Sequence, residues 1–176
     1  MEIEDANLLE ETKRNTNNKE FFLEKLKTTP ELLDFASEEI KDDKEAVLTA
    51  IEADGGALEF ASDRLKADKE VVFAAVKKVG WVICYANEKL LDDKEVVLEG
   101  AKKSGQALYY ASEKLRDDKD VVLEAVKNKG IIFKYASKRL REDKRIALEA
   151  VKQDKNAYQF LPDILKEDDE IKQLLA

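Results

Sequence analysis

Histidine is absent from this chain of 176 residues, and cysteine occurs once, as Cys84. Without histidine, the commonest general base and the commonest metal ligand are both missing. A single thiol excludes an intrachain disulfide framework and a thiolate metal site, and it suits a reducing, intracellular compartment. Long apolar runs are missing as well: no segment reaches the roughly 20 apolar residues that a membrane span needs. The opening Met1-Glu2-Ile3-Glu4-Asp5 is acidic and has neither the basic nor the apolar region of a signal peptide, so none is expected. An excess of positive charge is lacking too. The net charge of −8 and pI near 4.9 deprive the chain of the counterion release that drives nucleic-acid binding and of attraction to an anionic membrane. Neither is expected as a partner.

What is present is a period. Asp43-Lys44, Asp68-Lys69, Asp93-Lys94, Asp118-Lys119 and Asp143-Lys144 follow one another in steps of 25 residues. Self-similarity at that spacing indicates a tandem array. Hydrophobic residues make up 44% of the chain and charged ones 40%, with both signs interspersed, so a continuous core with solvated outer faces is expected rather than disorder.

Within one repeat, Asp92 to Gly105, the apolar residues at 97, 98 and 101 have helical spacing. Asp92 and Glu95 have the form of a capping box, lysines occupy the last turn, and Gly105 stands where a left-handed C-cap would terminate the helix. Gly55, Gly80, Gly105 and Gly130 are therefore expected to take positive φ as turn glycines, and not to bind phosphate. A second, shorter apolar stretch follows (Ala57-Leu58, Val82-Ile83, Ala107-Leu108, Ile132-Phe133) and predicts a helix packed antiparallel on the first. The next column, Ser37, Ser62, Asn87, Ser112, Ser137 and Pro162, consists of N-cap residues and one residue suited to a first turn, which predicts a break and a final short turn. Residues 107, 108, 111 and 115 also fit one continuous helix; Pro162 favours the break. The aromatic column Phe35, Phe60, Tyr85, Tyr110, Tyr135 and Phe160 is expected to form a core ladder, with hydroxyls at its wet edge.

The array extends past its clear copies. Phe21, Phe22, Leu23 and Leu26 open a degenerate first copy in which Pro30 replaces the glycine, and Ile171, Leu174 and Leu175 indicate a last helix. The expected organisation is an N-terminal segment 1–17 that is partly flexible, a degenerate repeat 18–41, tandem repeats 42–166 and a capping helix 167–176. The fold class is all-α: a solenoid of short helical-hairpin repeats, expected as a monomer.

The block from Asp-Lys through Val-Val-Leu-Glu-Ala-Val-Lys, a glycine, and Ala-Leu-x-Tyr-Ala-Ser-Glu-x-Leu resembles the family called domain of unknown function 4116, best at Asp93 to Leu115 and Asp118 to Leu140. The resemblance covers roughly Asp42 to Leu165, with departures at Pro30, Trp81, Gly100 and Lys155. It implies tandem helical repeats found in bacterial, protist and large-virus proteins, with no common activity, cofactor or catalytic residue to carry over.

Function is expected where the copies disagree. One such column reads Gly56, Trp81, Gln106, Ile131, Asn156, and another, three residues on, reads Glu59, Cys84, Tyr109, Lys134, Gln159. On a helix these positions share a face. Trp81, Cys84, Gln106, Tyr109, Ile131 and Lys134 are thus the candidate residues for binding a protein or peptide partner, with aromatic anchors and polar contacts in one stripe. The alternatives are a small-molecule pocket between repeats near Trp81 and Cys84, an enzyme built only from carboxylates, lysines and tyrosines, and a structural spacer. No catalytic, cofactor or metal site is expected: Cys84 has only Lys89 as a nearby cation in sequence, and Asp117-Asp118-Lys119-Asp120 lacks the glycine-centred loop of a calcium site.

Overall fold

The structure is a computed structural model and describes residues 6–175, all helix, turn and loop. The acidic opening Met1 to Asp5, the first part of the segment 1–17 expected to be partly flexible, lies outside the described residues. The chain is an all-α repeat solenoid and divides into two compact units, Met1–Asn87 and Glu88–Ala176.

The first unit opens with helices Ala6–Arg14 and Lys19–Lys25. Within the segment expected to be partly flexible, the chain is helical as far as Arg14, with Thr12 buried and its hydroxyl donating to the Leu8 carbonyl at 2.7 Å. Long helices Lys44–Ala53 and Lys69–Lys78 follow, alternating with short helices Pro30–Phe35, Gly55–Phe60 and Gly80–Tyr85. The second unit repeats the plan with long helices Lys94–Lys103, Lys119–Asn128 and Lys144–Gln153, and ends on helix Asp169–Leu175.

Each long helix is capped by the aspartate of its Asp-Lys pair. Asp93 has extended backbone and accepts from the Glu95 and Val96 amides, at 3.0 and 3.2 Å. Asp92 is therefore not the cap, contrary to the capping-box reading; it accepts the Ser112 hydroxyl at 2.6 Å, from the following repeat. The buried face is Val96, Val97, Gly100 and Ala101, with Leu98 only half-buried, so the stripe lies one position earlier than the spacing suggested.

The glycines are a second correction. Among the described residues none has positive φ. The helix ends one residue sooner, on an extended residue such as Ser104 (φ −150°, ψ 117°), and the glycine then starts the short helix. Its lack of a side chain serves packing: a Cβ on Gly55 would lie 2.8 Å from the Ala75 carbonyl oxygen, and one on Gly105 would lie 2.5 Å from that of Ala125. Backbone of one repeat touches the helix end of the next, and only glycine leaves room.

The short helices are 3₁₀ over Pro30–Phe35, Gly55–Phe60, Gly80–Tyr85, Gly130–Tyr135 and Lys155–Phe160, and α over Ala107–Tyr110. The chain breaks after them as expected. Ala61 is extended, Ser62 caps the turn Asp63–Lys66 by accepting from the Leu65 amide, and Ser37, Ser112 and Ser137 do the same in their copies. The Asn87 copy differs: its turn is 3₁₀, Leu90–Asp92.

Neighbouring copies are fastened in three ways. Within each unit the lysine of an Asp-Lys pair reaches the capping aspartate of the next copy, as in Lys44–Asp68 (2.8 Å), Lys94–Asp118 (2.8 Å) and Lys144–Asp168 (2.8 Å). The serine amide donates to a carbonyl of the preceding copy, as Ser62 to Lys41 (3.0 Å) and Ser137 to Arg116 (2.9 Å). A side chain at the end of a long helix donates to a carbonyl at the end of the previous one: Lys78 to Glu52 (2.5 Å), Asn128 to Lys102 (3.2 Å) and Gln153 to Asn128 (3.2 Å). Terminal carbonyls that a helix cannot satisfy by itself are thus satisfied by its neighbour.

Candidate functional site

In a 3₁₀ helix residues three apart eclipse one another, so the two variable columns lie in line on each short helix that is 3₁₀, the Ala107–Tyr110 copy being α with Gln106 at its N-cap. In the first unit Trp81 is 43% exposed, and its ring meets Tyr85 edge-on at 6.0 Å. Cys84, on the same short helix, is half-buried. Burial pushes the Cys84 thiol above its ordinary pKa, and the Glu59 charge pushes the same way. A hollow of about 230 Å³ beside Trp81 is lined by Pro30, Asp54, Gly56, Glu59 and Phe60 among others, without Cys84.

In the second unit Gln106, Tyr109 and Lys134 are exposed and Ile131 is half-buried. Tyr109 is 47% exposed and packs edge-on against Tyr110 (4.9 Å) and Tyr135 (4.8 Å). The Lys134 ammonium lies 4.9 Å from the Tyr135 ring centre and 5.4 Å from that of Phe160. Within this unit the structure gathers Tyr109 and Lys134 around the rings of the next two copies. Trp81 and Cys84 belong to the other unit.

The aromatic column is not the core ladder expected of it. Its members are half-buried, whereas Leu33, Leu58, Ile83, Leu108 and Phe133 are fully buried. The ring position is the last residue of each short helix; the space between repeats is already filled by the preceding buried pair and by the following alanine, so the ring lies at the rim. There it lines a groove that recurs along the array. Phe60 lines one of about 560 Å³ with Asp34, Glu38, Lys41, Glu59 and Asp63; Tyr135 lines another with Glu113 and Arg116; Phe160 lines a third with Lys138, Arg141 and Glu142. The two variable columns at positions 56 and 59 and their equivalents do not include these groove residues. The column Glu38, Asp63, Glu88, Glu113, Lys138, Asp163 carries the signal: one base among acids.

Exposed aspartates at the repeat boundaries are held as carboxylates. The Ser62 hydroxyl and then Arg64 keep Asp42 below its ordinary pKa, and Ser137 and Arg139 do so for Asp117.

The chain matches the family described as Domain of unknown function (DUF4116) in six overlapping stretches, 18–66, 43–91, 68–116, 93–141, 118–166 and 143–173. The chain belongs to this family. Successive matches begin 25 residues apart, which is the step of the Asp-Lys pairs, so the DUF4116 period and the structural repeat coincide. The match reaches further than the motif alone indicated, taking in the degenerate copy with Pro30 and the departing copy with Pro162. No curated protein and no solved structure matches the chain.

Proposed function

We propose that this repeat scaffold is noncatalytic and binds a protein or peptide partner through the variable positions of its short helices, with Trp81 and Cys84 contributing in one unit and Gln106, Tyr109, Ile131 and Lys134 in the other. The observation that carries this reading is the exposure of Trp81 and Tyr109, at 43% and 47%, on short helices whose Val82 and Ile83, and Ala107 and Leu108, are fully buried. Large aromatic rings that the core does not need are the residues that dominate protein interfaces. A noncatalytic role is supported by the direction in which the titratable groups move. The Cys84 thiol is raised, which opposes thiolate formation, and Asp42, Asp92 and Asp117 are lowered by their hydroxyl and cationic partners, the reverse of what an acid catalyst requires.

Affinity capture from lysate of the native source, followed by binding measurements with the purified partner, tests this. Trp81→Ala and Tyr109→Ala are expected to weaken binding by roughly tenfold or more each, with helicity unchanged. Equal retention by both variants overturns the proposal. The small-molecule reading has weaker support, since the hollow beside Trp81, about 230 Å³, is smaller than the roughly 300–1,000 Å³ of typical ligand sites.

A further inference from the structure

The recurrent groove changes sign along the array. In the first unit it is flanked by Asp34, Glu38, Glu59 and Asp63 against only Lys41 and Lys66. The same positions 100 residues later are Lys134, Lys138, Gln159 and Asp163, with Arg141 and Lys166. Four acids and two bases become one acid and four bases, in a chain whose net charge is −8. Scaffold packing does not demand this, because the acidic version occupies an equivalent place in the fold.

Of the cations of the later groove, Lys166 pairs with Asp163 at 3.5 Å, whereas Lys138 and Arg141 form no ion pair among the described residues. In two other copies the basic residue of the closing turn is used internally: Arg116 donates to the Ala111 and Tyr109 carbonyls at 2.9 and 2.7 Å, and Lys41 pairs with Glu38 at 3.5 Å. Arg141 instead has a buried Nε with no hydrogen-bond partner. Lys138, standing where other copies place the pairing acid, is exposed and forms no ion pair among the described residues. Three fasteners found in other copies have no counterpart here. Pro162 has neither the amide nor the hydroxyl that Ser137 gives to Arg116 and Asp117, and Ile164 stands where Arg139 would bridge back to Asp117. Lys138, Arg141 and Glu142 therefore face a hollow of about 250 Å³ whose other wall is Phe160, Leu161 and Pro162, with the Lys134 ammonium over the Phe160 ring.

We propose that this groove binds an acidic segment of a partner protein, a carboxylate side chain engaging Arg141 and Lys138 while an adjacent apolar side chain lies against Phe160, Leu161 and Pro162. Charge complementarity selects the carboxylate, and the apolar wall selects a peptide over a bare polyanion. Glu142 on the rim, beside the Asp163 of the closing turn, limits how many carboxylates can enter together. The inference rests on the reading that the partner is a protein, but it uses residues outside the Trp81 and Tyr109 positions.

Fluorescence anisotropy of the full chain with a short labelled peptide of alternating glutamate and leucine tests it. Binding is expected to weaken with salt, and to fall by roughly tenfold or more when glutamine replaces glutamate, when serine replaces leucine, or in the variants Lys138→Glu and Arg141→Gln. Lys138→Glu installs the acid that Glu113 supplies one copy earlier, so it preserves the fold, and circular dichroism checks this. Lys77→Glu, an exposed charge reversal on helix Lys69–Lys78 of the first unit, leaves peptide binding unchanged. Equal binding of the glutamine peptide, insensitivity to Lys138→Glu, or equally tight binding of a single-stranded oligonucleotide overturns the inference. If the peptide fails while Trp81→Ala still releases the native partner, only this groove assignment falls.

Discussion

Gly55 and Gly56 are neighbours with opposite constraints. A Cβ on Gly55 meets a backbone carbonyl, that of Ala75, at 2.8 Å, whereas one on Gly56 meets only the carboxylate of Asp54 at 3.3 Å, the end of a flexible side chain. Gly55→Ala is expected to destabilise the fold by about 1–3 kcal/mol through overpacking. Gly56→Ala is expected to be neutral or to stabilise by up to about 1 kcal/mol, because it reduces unfolded-state entropy at a backbone geometry that alanine tolerates. Urea unfolding of the two variants distinguishes close approach from turn geometry, since a positive-φ requirement would spare neither ordering. The recurrence of the glycines was legible in the sequence, but its cause was not. Spacing places a glycine at a helix end, and only the position of the Ala75 carbonyl, contributed by the next copy, shows why nothing larger fits.

At the level of the element, the long helices were the most legible part because capping, charge and apolar spacing all act within one copy. Their exact start was less so. Asp92 and Asp93 are chemically equivalent in sequence, and the choice between them depends on Ser112, twenty residues away, which occupies Asp92. The capping role can be separated from the ionic one at Asp118, which accepts from the Asp120 and Val121 amides and pairs with Lys94 at 2.8 Å. Asp118→Ala is expected to cost about 1 kcal/mol or more in thermal or denaturant unfolding, whereas Asp118→Asn keeps the cap acceptor and loses less, by an amount that disappears in high salt. The aromatic column was misplaced for a related reason: regular recurrence is a property of any repeated position, and burial is decided by what Leu58 and Ala61 leave unfilled. The short helices hid their groove chemistry in the same way, since Lys138 is unremarkable alone and conspicuous only beside Glu38 and Glu113.

For the whole molecule, the lysine-to-aspartate contacts set the pH response. Hydrogen bonds from Lys44, Lys119 and Lys144 hold Asp68, Asp143 and Asp168 below the ordinary carboxylate range, and the bonds to Asp68, Asp118 and Asp168 hold Lys44, Lys94 and Lys144 above the ordinary lysine range. A lowered aspartate stabilises the fold above its unfolded pKa, and that contribution is lost as the pH falls through the folded value. A raised lysine stabilises below its unfolded pKa and is lost as the pH rises through the folded one. The thermal midpoint is therefore expected to be flat from about pH 5 to 9 and to decline outside that window, with a shallower acid decline in Lys44→Met. A steeper acid decline in that variant would contradict the assignment.

These contacts also have a direction. Every copy that donates a lysine forward presents an aspartate backward, but Asn18 caps the first of these helices without a charge, and Asp169 follows Asp168 where a lysine would stand. An engineer who duplicates a copy inside either unit supplies a matched plug and socket at both joints. One who grafts a copy after Asp168 joins it to an acid where a donor is wanted, and would have to reverse the charge at residue 169 before the extension could latch.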